Sequence, residues 1–146
     1  MKTASQLLAL KGNQVLSIAP NSDVYEALVM MEKHHVGALL VLDAEKLVGI
    51  FSERDYARNV ALKGKSSKNT LISEVMTSKV ISISPDKTLE DCMSIMTEKR
   101  IRHLPVLEKD NVIGVLSIGD LMKETLIHQE SLIKQLKFQA KYANIK

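Results

Sequence analysis

The chain has 146 residues, 45% of them hydrophobic, and a mean hydropathy near zero, which fits one globular domain or two small ones sharing a core. No apolar run approaches the roughly 18 residues needed to cross a bilayer, and the opening MKTASQLLALKG breaks at Lys11 and Gly12 too early for a secretory signal, so a cytoplasmic protein with no membrane partner is expected. The net charge of +3 is concentrated in residues 123 to 146, with five Lys against two Glu, while the rest carries 15 charges of each sign; the body is not a polycation, and nucleic acid is disfavoured as a partner.

SQLLAL near the N-terminus predicts a short lead-in helix. VLSIAP then alternates and stops at Pro20, as a short strand does. Asp23-x-x-Glu26 resembles a capping box, and Val24, Ala27, Leu28 and Met31 have the three-and-four spacing of one buried helix face. ALLVL and LVGIF, rich in β-formers and separated by DAEK, predict an antiparallel hairpin. A second helix begins near SERDYARNVAL. KGKSSKNT, at 63 to 70, is polar and basic with Gly64, and is read as a linker.

From LISEVM, another short lead-in helix, the layout starts again. VISISP is the strand, Thr88-x-x-Asp91 the capping box, and Leu89, Cys92, Met93 and Met96 the buried helix face. HLPVL and VIGVL, separated by EKDN, form the hairpin, and SIGDLMKETLI starts the last helix. Cys92, the single cysteine, excludes an intramolecular disulfide and reads as a buried thiol. Beyond 121, Leu132, Leu136 and Ala140 recur at helical spacing opposite lysines, predicting an amphipathic helix that covers the body or a partner subunit.

Sliding the chain by 65 aligns Val15 to Tyr56 with Val80 to Leu121 without a gap. Eleven pairs are identical: Val15/Val80, Ser17/Ser82, Ile18/Ile83, Pro20/Pro85, Met31/Met96, Leu39/Leu104, Val41/Val106, Leu42/Leu107, Gly49/Gly114, Ser52/Ser117 and Asp55/Asp120. Chance would give roughly two or three at ordinary residue frequencies, so the chain is a duplication. Each β-α-β-β-α unit buries little alone, so the expected α+β fold packs two units sheet to sheet about a pseudo-twofold axis, with a C-terminal helix added. The boundaries read as 1–62 for repeat one with its lead-in helix, 63–71 for the linker, 72–125 for repeat two and 126–146 for the C-terminal helix.

Two readings stand for Ser52-x-x-Asp55 and its copy Ser117-x-x-Asp120. Serine at an N-cap with a carboxylate three residues on is a capping box. The same point, where a strand gives way to a helix, also offers free N–H groups to an anion and a short carboxylate to vicinal hydroxyls such as those of ribose. Gly49 and Gly114, each inside a predicted strand, suggest close approach by another backbone or a ligand.

SIAP and SISP, VGALLV and RHLPV, LVGIFSERD and VIGVLSIGD, and ISEVMT before the second copy together resemble a tandem pair of cystathionine β-synthase (CBS) domains over about residues 3 to 125. The resemblance implies up to two clefts between the copies for adenosine-containing ligands (AMP, ADP, ATP or NAD, with S-adenosylmethionine ranked behind them) and a homodimer. It implies that Asp55 and Asp120 take ribose and that Ser52 and Ser117 lie near phosphate or ribose. Ile18, Ala19, Ile83 and Ser84 match positions against adenine. Val36, Gly37 and Ala38, and Arg102, His103, Leu104 and Pro105, match the cleft-lining strand, with Arg102 and His103 reaching phosphate. Arg54 and Arg58 are further phosphate candidates. Gly37-Ala38 stands opposite Arg102-His103, and Arg54 opposite Gly119, so the two clefts should differ in charge and size.

GKSS, at 64 to 67, lacks the first glycine of a phosphate loop, since position 59 is Asn59. His34, His35, Lys99 and Arg100 end the first helices, where positive charge suits the dipole. No metal-ligand spacing and no nucleophile-base set is visible, so neither catalytic residues nor a catalytic cofactor is expected. The reading is a stand-alone regulatory sensor of adenosine nucleotides, signalling through pair or dimer conformation to an unidentified effector protein. The alternatives are a nucleotide-acting enzyme, a nucleic-acid binder using the basic tail, and a purely structural dimeriser.

Overall fold

The computed structural model describes residues 1–12 and 14–143. Helix α1 (Ala4–Lys11) starts at a full capping box, in which Thr3 accepts from Gln6 N and the Gln6 side chain accepts from Thr3 N. Strand β1 (Ser17–Ile18) pairs in parallel with β2 (Ala38–Asp43), and β2 pairs antiparallel with β3 (Lys46–Ser52). Between β1 and β2 runs α2 (Val24–His34), which buries Val24, Ala27 and Met31. Its predicted box forms by half: Asp23 accepts from Glu26 N at 2.8 Å, but no bond returns from Asp23 N to the Glu26 side chain. After β3 come one turn of α3 (Glu53–Tyr56) and a π-helical turn, Ala57–Ala61.

The predicted linker contains a short 3₁₀ turn, Ser67–Asn69, and leads to α4 (Ile72–Val75). Helix α5 (Leu89–Lys99) has the full Thr88/Asp91 box. Strands β4 (His103–Glu108) and β5 (Asn111–Ser117) form the second hairpin. Both hairpins turn on two residues with positive φ, Ala44-Glu45 and Lys109-Asp110, the backbone of a type I′ turn built without glycine. Both also shift register at the same place, after Val41 and after Val106.

The expected strand VISISP shrinks to a single bridge, Ile83 with Val106. In the first repeat, Leu40 N donates to Leu16 O at 3.2 Å and extends the ladder. The equivalent of Leu40 is Pro105, which has no N–H to give. Only the bonds from Ile83 N to Pro105 O and from Leu107 N to Ile83 O remain. The described residues therefore form a three-stranded and a two-stranded sheet.

The lead-in helices pack crosswise. Ala4, Leu7 and Leu8 of α1 lie in the core of the second repeat, with Ile83, Cys92, Met96, Leu104 and Leu116. Ile72 and Val75 of α4 lie in the core of the first, with Ile18, Val41 and Phe51. Matching backbone bonds fix both: Ala4 N to Lys87 O and Ser5 N to Pro85 O on one side, Ile72 N to Ser22 O and Ser73 N to Pro20 O on the other. Within these bonds Ala4 corresponds to Ile72, a spacing of 72 − 4 = 68, whereas the bodies repeat at 65. The first lead-in segment is thus three residues longer than the second.

Gly49 and Gly114 serve these crossings. A Cβ on Gly114 would lie 2.6 Å from Leu8 Cδ2, and one on Gly49 would lie 2.5 Å from Met76 Sδ and 3.0 Å from the Thr77 carbonyl. The close approach expected of them comes from the chain itself and not from a ligand.

The second helix of repeat two does not end near residue 125. It is one helix, α6 (Ile118–Ala143), of 26 residues. Leu121 is buried, but every described residue from Leu126 onward is exposed, so beyond residue 125 α6 buries none of its described side chains against the body. Cys92 is fully buried, and burial pushes its thiol pKa up. No helix among the described residues is long and apolar enough to cross a membrane.

Overpacking a filled core costs about 1–3 kcal/mol. Gly49→Ala should lose that much in urea-unfolding free energy. Gly37→Ala, where a Cβ meets the Glu53 carboxyl no closer than 3.5 Å, should lose less.

Candidate functional site

Both Ser-x-x-Asp elements cap their helices. Ser52 Oγ accepts from Asp55 N at 3.2 Å, and Asp55 Oδ2 accepts from Ser52 N at 2.9 Å. Ser117 Oγ accepts from Asp120 N at 3.1 Å, and Asp120 Oδ2 accepts from Ser117 N at 2.8 Å. The capping role is therefore met twice, and both carboxylates still face clefts between the repeats.

What meets each carboxylate differs. Thr77 Oγ1 donates to Asp55 Oδ1 at 2.9 Å. Lys11 Nζ donates to Asp120 Oδ2 at 2.6 Å and to Val115 O at 2.6 Å. The cause is the length of the lead-in segments. After α4 the chain pairs its Thr77 backbone with Ile50 in both directions. After the longer α1, the Lys11 ammonium reaches the carbonyl of Val115, the residue equivalent to Ile50.

The Asp120 cleft, of about 430 Å³, is lined by Lys11, Gly12, Gln14, Leu16, the stretch 34 to 40, Ile50, His103, Val115 and Ser117. The Asp55 cleft, of about 230 Å³, is lined by Gly37, Ile50, Ser52, Glu53, Arg54, Thr77, the stretch 79 to 81 and the stretch 100 to 103. They adjoin at Gly37, Ile50 and His103. The sequence differences between the copies act together here, because Arg54 and Arg102 both line the Asp55 cleft, with Lys79 and Arg100. Glu53 and Asp55 offset part of that charge. The Asp120 cleft sets Lys11 against Asp120 and adds His34, His35 and His103.

Of the sequence candidates, Val36, Gly37, Ala38, Ser52, Arg54, Asp55, Arg102, His103, Ser117 and Asp120 line a cleft. Ile18, Ile83, Leu104 and Pro105 do not; they are buried. Leu16 and Ile81, two residues before Ile18 and Ile83, line the clefts in their place. Ala19, Arg58 and Gly119 are exposed outside both clefts, and Ser84 turns its hydroxyl to Asp86. Sequence reasoning missed Lys11, Gln14, Thr77 and Lys79. The 65-residue shift pairs Gln14 with Lys79 and was a usable signal; Lys11 lies ahead of the gapless repeat and had none. His35 and Arg100 end α2 and α5 with φ of 52° and 55°, and each also lines a cleft.

Burial opposes ionisation of Asp120, but hydrogen bonds from Lys11 and Ser117 outweigh it and hold the carboxyl below the ordinary range. Burial pushes the His103 imidazole below its ordinary 6.5, and Lys11 and Arg102 push the same way against Asp120. No group of three or more His, Cys, Asp or Glu among the described residues could hold a metal. As pH falls through 6.5, the unfolded chain protonates His103 and the folded chain resists, so folding stability drains away. Urea-unfolding free energies at pH 7.5 and 5.5 should differ less in His103→Gln than in the native protein.

The CBS domain family model matches residues 11–62 and 72–126. The CBS domain-containing protein CBSX3, mitochondrial, of Arabidopsis thaliana is 36% identical over 140 residues, covering 89% of this chain and 68% of that protein. A solved structure from Burkholderia ambifaria, provisionally described as a signal-transduction protein with CBS domains, is 43% identical with a TM-score of 0.84, covering 88% of this chain and 96% of that one. The CBS domain pair of MJ0100, solved with 5′-methylthioadenosine and S-adenosyl-L-methionine, shares the fold at a TM-score of 0.75 and 24% identity, covering 86% of this chain and 96% of that one. Two matched segments, crossed lead-in helices and paired clefts agree: the chain belongs to the CBS-domain family, as a tandem pair.

Proposed function

We propose that the protein is a regulatory module that binds adenosine nucleotides between its repeats and carries out no catalysis. CBS-pair proteins are regulatory and signal-transduction modules that often bind adenosine ligands. The observation that carries the reading for this chain is the duplicated carboxylate at a helix start, Asp55 and Asp120, each facing a cleft between repeats. A vicinal diol donates naturally to such a carboxylate, and the helix N-terminus beside it favours phosphate. The four basic side chains of the Asp55 cleft favour a phosphate-rich ligand there, such as ATP, ADP or the pyrophosphate of NAD.

The signal would travel through a homodimer to an effector protein. Exposed Leu126, Leu132, Ile133, Leu136 and Phe138 give α6 far more apolar surface than an isolated helix keeps in water. Asp120, Glu124 and Glu130 lie toward its start and Lys134, Lys137 and Lys141 toward its end, so an antiparallel pair of α6 helices brings opposite charges together. The same apolar residues favour a second copy over nucleic acid as the occupant of this helix.

A ligand at about 100 times its dissociation constant adds about 2.7 kcal/mol of stability, or several degrees in melting temperature for a chain of this size. A thermal-shift panel of AMP, ADP, ATP, NAD and S-adenosylmethionine should show such a rise, reduced in Asp55→Asn and Asp120→Asn. If no adenosine compound raises the melting point, the nucleotide reading fails. Light scattering should give about twice the 16.2 kDa chain mass, and Leu132→Glu with Leu136→Glu should return the monomer with its melting point kept.

A further inference from the structure

We infer that Lys11 gates the Asp120 cleft by charge, admitting adenosine ligands that carry phosphate and rejecting those that are neutral or cationic; this rests on the nucleotide reading above. The ammonium is held by structure and not by chance. It stands on the last residue of α1, whose Ala4, Leu7 and Leu8 are anchored in the second core. From there it spans Val115 O and Asp120 Oδ2.

A diol approaching Asp55 displaces one neutral hydroxyl, that of Thr77, which can turn and accept a bond instead. A diol approaching Asp120 can reach Oδ1, but to take both oxygens it has to displace from Oδ2 an ammonium with no lone pair to offer. Displacing it breaks a charge-assisted bond and leaves a cation in a cleft that already holds His103, His34 and His35. Arg102 also presses positive charge on His103. A ligand phosphate beside the ribose gives the released ammonium a new ion-pair partner. A free nucleoside supplies nothing to receive it, and a sulfonium adds a further positive charge. The second repeat's lead-in segment is three residues shorter and places a threonine at the corresponding carboxylate, so the gate exists on one side only.

The test isolates the Asp120 cleft in an Asp55→Asn background and measures AMP and adenosine by calorimetry, with Lys11→Gln and Lys11→Arg added. Lys11→Gln should weaken AMP, strengthen adenosine and lower the AMP-to-adenosine preference by at least about tenfold, the effect of one charge-assisted hydrogen bond. Lys11→Arg should keep the preference. By carboxyl NMR, the Asp120 pKa should rise in Lys11→Gln and stay low in Lys11→Arg. Equal or absent changes in the two affinities overturn the gate while the nucleotide reading stands. If the native protein binds none of adenosine, AMP, ADP, ATP, NAD and S-adenosylmethionine at either cleft, the nucleotide reading fails and the gate falls with it; if it binds only those other than adenosine and AMP, the gate alone falls.

Discussion

The molecule depends on two places where a strand carries no side chain. At Gly49 and Gly114 the lead-in segment of the opposite repeat lies directly on the sheet, with Met76 and Leu8 in the space a methyl group would occupy. Through these contacts each repeat lends a helix to the other's core. Neither core is complete within its own stretch of sequence, since Ala4, Leu7 and Leu8 close one and Ile72 and Val75 close the other. The clefts lie between the repeats and so inherit their geometry from this exchange.

The exchange also explains how a duplicated sequence yields unequal sites. The bodies repeat at 65 residues and the lead-in helices at 68. A difference of three residues carries no cost in the cores, because Leu8 and Met76 reach equivalent glycines. It appears instead after the helices, where the shorter segment bridges Ile50 through its backbone and the longer one reaches across with an ammonium. Ser and Asp are the same in both copies. Their electrostatic settings are not, and the difference comes from the opposite end of the chain.

Much of this was legible in the residues. The capping boxes at Thr88 and Ser52, the buried faces of α2 and α5, and the two hairpins all follow from local spacing, and local spacing acts within a few residues. The lost strand at Ile83 was also written in the sequence, but only as a missing donor on its neighbour, Pro105. The course of α6 was misread at 125 because the repeat ends there while the helical pattern does not. The partners of α1 and α4 were out of reach, since a helix face that suits one apolar core suits its duplicate. The same limit applied to Lys11, whose partner lies 109 residues away. On the first strand of each repeat the cleft is lined two positions before the expected residues, by Leu16 and Ile81, because residues two apart share a strand face and only packing decides which is sealed in.

Asp120 sits in the first turn of α6, a helix of 26 residues. At 1.5 Å per residue that is a rod of about 39 Å. Its base is seated in the second core by Leu121, and every described residue of its shaft beyond residue 125 is exposed. A tilt of about 5° at the base, the scale of a small side-chain rearrangement, sweeps the far end through about 3 Å. The residue proposed to hold the ligand is thus at the fulcrum of the longest lever in the molecule, and a change too small to notice in the cleft becomes a displacement at the tip large enough to break or make a contact.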